Sequence, residues 1–346
     1  MSSWMTCPLP LDEYPRVVMA HGGGGTVMRR LIERMFFAAL DRGELGGAAD
    51  AAVLALTGGE LALTTDSFVV RPRFFPGGDI GSLSVHGTVN DLAMVGAEPI
   101  ALTAAFVLEE GLPTEELWAI VSSMAAAADE AGVRVVAGDT KVVERGHGDG
   151  VFITTTGLGR VVAPWPVRAD RIRPGDAVLV SGDVGRHGMA VMVARGDLAV
   201  ESDLASDCAC VHRAALALIE GGVEVRAMRD PTRGGLASAL NELASSGGVG
   251  FEVRETDVPL DPRTVAVAEL LGLDPLYSAC EGRFVAVVPP EQADRALEIL
   301  RSFPVSAGAA AIGEATDDSG RVVVRSAFGT RRMLPMLSGE QLPRIC

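Results

Sequence analysis

Strand-like and helix-like stretches alternate twice along this chain, and a proline- and charge-rich segment, APWPVRADRIRPGD, separates the two runs. Such alternation is the mark of layered α/β units, and its interruption by a linker predicts two of them. The first run opens with a glycine stretch and a helix, HGGGGTVMRRLIERMFF. Two short strands follow around a Gly-Gly turn, AAVLALTGGELALTTDSFVV, then a helix over GSLSVHGTVNDLAMVG that Gly and Pro close. Strand IALTAAFVL, the alanine-rich helix TEELWAIVSSMAAAADEAG and strands VRVVAGD and VFITTTGLGRVV complete this unit near residue 163. The second run has strand AVLVSG, helices after Gly185 and near 208–220 and 234–246, strands FEVRE and FVAVVP, helix EQADRALEILR and strand VVVRS. The expected division is therefore 1–163, 170–326 and an unpaired flexible tail, 327–346. A length of 346 residues, 48% of them hydrophobic, also exceeds what one core usually organises.

Composition removes several function classes. A formal charge of −15 repels phosphate backbones, and no basic patch offsets it, so nucleic acid is not an expected partner. No stretch approaches the roughly 18 apolar residues that span a bilayer, and the first residues lack a basic start and an apolar run. The expected address is the cytoplasm. Five cysteines, an odd number scattered through a long chain, do not form a disulfide framework. The 30 basic residues include a single lysine, Lys141. An ammonium is a compact charge that suits a phosphate, although a lone lysine is equally what drift leaves behind.

The first unit places aspartates at strand ends and glycine turns: Asp50, Asp66, Asp79, Asp91 and Asp139. Magnesium takes carboxylate and phosphate oxygens, so aspartates converging there could hold Mg-nucleotide phosphates. Each one alone is as well explained as a cap or turn residue. The run His21, Gly22, Gly23, Gly24 can bring backbone N–H groups to phosphates but lacks the ending of a P-loop, and a flexible linker is its plain alternative. Lys141 follows Asp139 by two, which in a strand puts both on one face. In the second unit Asp230, Thr232, Arg233 and two glycines precede a helix start, where amides attract anions. Glu281, on a turn before a strand, is a general base if burial raises its pKa and a solvated turn residue otherwise. Cys208, Cys210 and His212 lack the spacing of a closed zinc site. The chain closes on a thiol, Cys346.

Taken together, HGGGG, TTDSFVV, GGDIGSLSVHGTVNDLAMVGAEP, GDTKVV, DPTRGGLASALNELA, YSACEGRF and the closing PRIC resemble the HypE family of hydrogenase-maturation proteins, from about His21 to Cys346. That family is similar in fold to aminoimidazole ribonucleotide (AIR) synthetase, selenophosphate synthetase and thiamine-monophosphate kinase. The resemblance implies an AIR synthase-like (PurM-like) α/β and α+β architecture. Its N-terminal mixed-sheet domain would pair with its twin into a homodimeric β-barrel, and its C-terminal α+β domain would complete a cleft for Mg-ATP. Carried onto this chain, the cleft would comprise His21, Gly22, Gly23, Gly24, Asp50, Asp66, Asp91, Asp139, Asp230 and Thr232, with Asp50, Asp66, Asp91 and Asp230 about the metal. The implied reaction is carbamoylation of Cys346 by HypF, ATP-driven dehydration to a thiocyanate with Lys141 on the phosphate and Glu281 as base, and transfer of cyanide to iron on a HypC–HypD complex. From Ala327 the last 20 residues reach at most roughly 65 Å when extended, enough for a swinging arm. One position departs from the family pattern: Cys280 stands where Asn precedes the Glu-Gly pair. Two other readings are a phosphotransferase acting on a free small molecule and an ATP-gated interaction module whose tail docks a partner.

Overall fold

The computed structural model describes residues 25–31, 52–56, 59–196, 202–337 and 345–346. His21 to Gly24 and Asp50 lie outside the described residues. In the N-terminal domain α1 (Thr26–Leu31), β1 (Ala52–Leu56) and β2 (Gly59–Phe68) are followed by a short ribbon of β3 (Phe74–Phe75) and β4 (Gly78–Asp79). Then come α2 (Ile80–Met94), β5 (Ala97–Glu109), α3 (Thr114–Ala131), β6 (Arg134–Val143) and β7 (Val151–Val161). The sheet runs β1-β2-β7-β5-β6. Only β5 and β6 are parallel, because α3 carries the chain back between them. Alternation along β7 sets its faces: Val151, Ile153 and Thr155 are buried under the helices, while Phe152, Thr154 and Thr156 on the other side are half-exposed.

Helix α2 is the centre of the molecule. Asp79 caps it, accepting from Gly81 N at 2.7 Å and Ser82 N at 3.2 Å while Ser82 Oγ accepts from Asp79 N, so this aspartate works as a cap. Every residue of the helix except Ser82 is buried. Its small and apolar side chains form no single stripe, which suits a helix covered on all sides. It packs on β2, β5, β7 and α3 of its own domain and on α5 and β9 of the next.

The C-terminal domain contains β8 (Ala177–Val180), α4 (Arg186–Ala194), α5 (His212–Glu220), β9 (Ala227–Arg229), α6 (Gly235–Gly247), β10 (Gly250–Arg254) and α7 (Pro262–Leu271). It closes with β11 (Val285–Val288), α8 (Ala293–Arg301), β12 (Ala310–Thr316), β13 (Val322–Arg325) and β14 (Arg331–Met333). Its mixed sheet runs β14-β13-β10-β12-β8-β11-β9. The core under α6 gathers Phe251, Val253, Ile312 and Leu240, and a second core joins α5 and α8 to Leu179, Phe284 and Ala286. Six elements were not expected from the sequence: β3, β4, β9, α7, β12 and β14. The tail also departs later than residue 327, since β14 pairs with β13 and Leu334 is fully buried beneath it.

Candidate active site

Asp66 and Thr64 share the helix-covered face of β2. Thr64 Oγ1 donates to Asp91 Oδ2 of α2 at 2.8 Å, and Asp91 also hydrogen-bonds with Asp230 from the loop before α6. Arg233 of that loop reaches Asp66 at 3.0 Å across the domain boundary. The loop is forced close to the chain around residue 277: a Cβ on Gly235 (φ +61°) would stand 2.6 Å from Ser278 O and 2.7 Å from Leu276 O. The next turn brings Glu281, whose backbone N–H donates to Asp207 Oδ1 at 3.1 Å. Asp66, Asp91, Asp207, Asp230 and Glu281 thus converge from five stretches of chain, with Arg233 among them.

The charges in this cleft are under strain from burial. Glu281 is only 3% exposed, and its Oε1 accepts no hydrogen bond. Burial pushes its carboxyl well above the usual range, and Asp230, Asp66 and Asp207 push it further. Asp230 is pushed up to about 6 by burial, against the pull of Arg229. Burial also raises Asp66, with Arg233 pulling the other way. Arg233 stays firmly charged despite burial, because Asp66 and Cys346 raise its pKa.

Cys346 enters this cleft from the tail. Arg233 donates a side-chain hydrogen bond to its sulfur, Val69 N–H donates to its main-chain oxygen at 3.2 Å, and Ile345 is buried beside the N-terminal core. Burial, followed by the charge of Glu281, pushes the Cys346 thiol up to about 12. Burying an isoleucine contributes roughly 1.5–3 kcal/mol, and fixing two residues of backbone costs roughly 2–4 kcal/mol. Hydrogen bonds of about 1 kcal/mol each tip that balance, so the docked end is held and still releasable.

The other expected site residues fall elsewhere. Asp139 and Lys141 pair with each other at 3.0 Å on β6, with side chains 62% and 71% exposed. Strand register puts Asp66 opposite Thr155, Thr155 opposite Ala104, and Ala104 opposite Gly138, whereas Lys141 pairs with Val107. Lys141 is therefore three strands and three residues away, roughly 14 Å across and 10 Å along, and on the opposite face of the sheet. Thr232 is half-buried on the Asp230 loop. Among the described residues, no three His, Cys, Asp or Glu side chains stand in metal-binding geometry. Cys208, Cys210, Cys280 and Cys346 are free thiols. Cys280, at the departure from the family pattern, is fully buried and accepts Gly185 N–H on its sulfur at 3.0 Å.

The sequence marked Arg233 only as part of an anion-attracting helix start and did not mark Asp207 or Thr64. Arg233 carried a signal, a cation directly before two glycines at a helix start; Thr64 and Asp207 carried none.

Family models match both halves: the N-terminal domain of AIR synthase related proteins over residues 48–161 and their C-terminal domain over 173–325. The chain is 51% identical to the carbamoyl dehydratase HypE of Rhodobacter capsulatus over 338 residues, covering 96% of this chain and 98% of that one. A crystal structure of a HypE–HypF complex superposes with a TM-score of 0.84 at 46% identity, covering 89% of this chain and 99% of the other. HypE in complex with ATP superposes at 0.81 and 46% identity, covering 96% and 100%. No helix among the described residues is long and apolar enough to cross a membrane. With the two-domain fold, the shared cleft and identity along nearly its whole length, the chain belongs to the HypE family of hydrogenase-maturation carbamoyl dehydratases.

Proposed function

We propose that this protein is an ATP-dependent carbamoyl dehydratase that makes the cyanide ligand of [NiFe]-hydrogenase on its own Cys346. The observation that carries the reading is the seat of the sulfur, hydrogen-bonded to Arg233 and close enough to Glu281 to feel its charge. Complex formation with HypF and with ATP in solved relatives supports HypF as carbamoyl donor and ATP as phosphoryl donor. The step balances as follows. The thiocarbamate oxygen of S–C(=O)–NH2 takes the γ-phosphoryl group of ATP, ADP leaves, both nitrogen protons are removed, and phosphate departs to leave S–C≡N. Hydroxide is a poor leaving group and phosphate a good one. Glu281 is the proton acceptor: the surroundings that raise its carboxyl make its carboxylate a strong base. Arg233 orients the sulfur and offsets developing negative charge.

Magnesium suits the donor set. Asp66, Asp91 and Asp230 are hard oxygen donors in a cleft with an excess of carboxylates, and the buried Oε1 of Glu281 beside them has no hydrogen-bond partner. These three residues would hold the ion, with Asp50 as a fourth, and the ion would neutralise phosphate charge. The phosphate contact of Lys141 is best placed across a homodimer. The outer face of the first sheet carries exposed Leu63 and Val107 beside half-buried Phe152 and Leu158, a surface suited to a second copy. On that face Lys141 serves the cleft of the second protomer and not its own. The cyano group then passes to iron on a HypC–HypD complex, in the cytoplasm.

Intact mass after incubation with HypF, carbamoyl phosphate and ATP tests this. Wild-type protein should gain a carbamoyl group and then lose one water. Cys346→Ser should gain nothing, and Glu281→Gln should stop at the thiocarbamate. Label on another cysteine in Cys346→Ser would overturn the carrier role, and water loss at the normal rate in Glu281→Gln would remove Glu281 as base.

A further inference from the structure

His187, the second residue of α4, is fully buried and takes no part in the chemistry above. Its ring is fixed from three directions. Phe75 meets it edge to face, with centroids 5.3 Å apart and planes at 87°. Ser206 Oγ lies 2.8 Å from Nδ1, and the main-chain oxygen of Ile345 lies 2.8 Å from Nε2. A carbonyl oxygen only accepts, so Nε2 carries the hydrogen and Nδ1 takes the Ser206 hydroxyl proton. The same hydroxyl oxygen accepts Cys208 N–H at 2.9 Å, and Ser206 N–H donates to Pro76 O at 2.7 Å. Every hydrogen bond from Cys208 through Ser206 and His187 to the Ile345–Cys346 peptide therefore runs in one direction.

We propose that His187 is the latch of the carrier arm: its Nε2–H holds the Ile345 carbonyl and thereby sets the Cys346 sulfur against Arg233 and Glu281 for dehydration. This positioning role rests on the carbamoyl-dehydratase reading. The latch grips the peptide and not the thiol, so it holds the bare and the carbamoylated sulfur alike. When the arm leaves, a donor in a fully buried ring loses its acceptor, and that cost favours return. Burial lowers the imidazole pKa and keeps Nδ1 free to accept the Ser206 proton.

Two substitutions in the full chain separate the latch from simple packing. Gln places an amide N–H near the position of Nε2, whereas Asn places it near Nδ1. The readout is iodoacetamide labelling of Cys346, followed by peptide mass, together with single-turnover rates of carbamoylation and dehydration. His187→Asn should label Cys346 about tenfold faster and dehydrate about tenfold more slowly, with carbamoylation no slower, while His187→Gln stays near wild type. A His187→Asn protein that melts like wild type and labels Cys346 at the wild-type rate would overturn the latch. If that variant does not fold, Ser206→Ala takes its place, since loss of the hydroxyl proton lets the hydrogen move to Nδ1; the same two outcomes then decide. Faster labelling in a protein whose wild type forms no thiocyanate keeps the latch and discards the dehydratase reading.

Discussion

Asp139 with Lys141 and Asp66 with Arg233 make ion pairs of the same length, 3.0 Å, in surroundings that share little else. The first lies in water on a single edge strand. An exposed pair of this kind contributes about 0–1 kcal/mol and is screened by salt. The second spans two domains, faces the Cys346 sulfur and stands among carboxylates, of which Asp66, Asp230 and Glu281 have raised pKa values. Removing Arg233 strands several charges at once, whereas removing Lys141 from an isolated protomer strands none. The comparison teaches that the geometry of a salt bridge says little about its work until its neighbours are counted.

The largest expected effect comes from breaking the cleft pair. Arg233→Met should slow dehydration of carbamoylated Cys346 at least about a hundredfold, as loss of a charge-stabilising donor does in other sites. Single-turnover mass spectrometry measures it, and a change below about threefold would make the cleft pair as dispensable as the surface one. Next is the surface pair itself. Lys141→Arg keeps the charge and the solvent exposure but changes a compact ammonium into a planar fork, so ATP turnover should fall about tenfold or more with the melting temperature unchanged. Normal turnover would reduce the lone lysine to a relic of composition.

The smallest effect concerns stability against pH. His86 lies in α2 and its pKa is lowered to about 4 by burial and by nearby His212. It stays neutral in the folded protein while the unfolded chain takes up a proton below about 6.5. Its contribution is complete above that pH and is lost as pH falls towards 4. His86→Leu should therefore lose about 2 kcal/mol less stability than wild type between pH 7 and 4.5, read from urea unfolding. Parallel pH profiles would show that the ring is not buried uncharged.

Two units and most of their elements were legible because apolar periodicity and turn residues are local signals. The exceptions have local reasons. Strand β9 is three residues long, and β12, AAIGEAT, contains alanine and glycine where β-branched residues usually alternate. Helix α7 did carry a signal, Asp261 as cap before Pro262. In the site, motif residues marked Asp66, Asp91, Asp230, Glu281 and Cys346, and the structure brings these five together. It leaves Asp139 and Lys141 apart, since two positions along one strand show that they share a face but not which face of the sheet that is. Arg233 was marked as part of a helix start, but its pairing with Asp66 and Cys346 spans distant stretches that no local pattern records, and His187 was concealed by having its partners at Ser206 and Ile345, one of them a backbone oxygen.

The docked sulfur has a consequence for the order of events in the cell. With burial pushing its thiol up to about 12, Cys346 sits in the cleft at pH 7 as the thiol and not the thiolate. Parked there, the sulfur is chemically quiet towards oxidants, alkylating metabolites and activated carbamoyl groups alike. In water the same sulfur would have ordinary thiol reactivity. In the proposed reaction, acquisition and processing of the one-carbon cargo would thereby be kept apart by an acid–base interlock, with no gate needed to separate them.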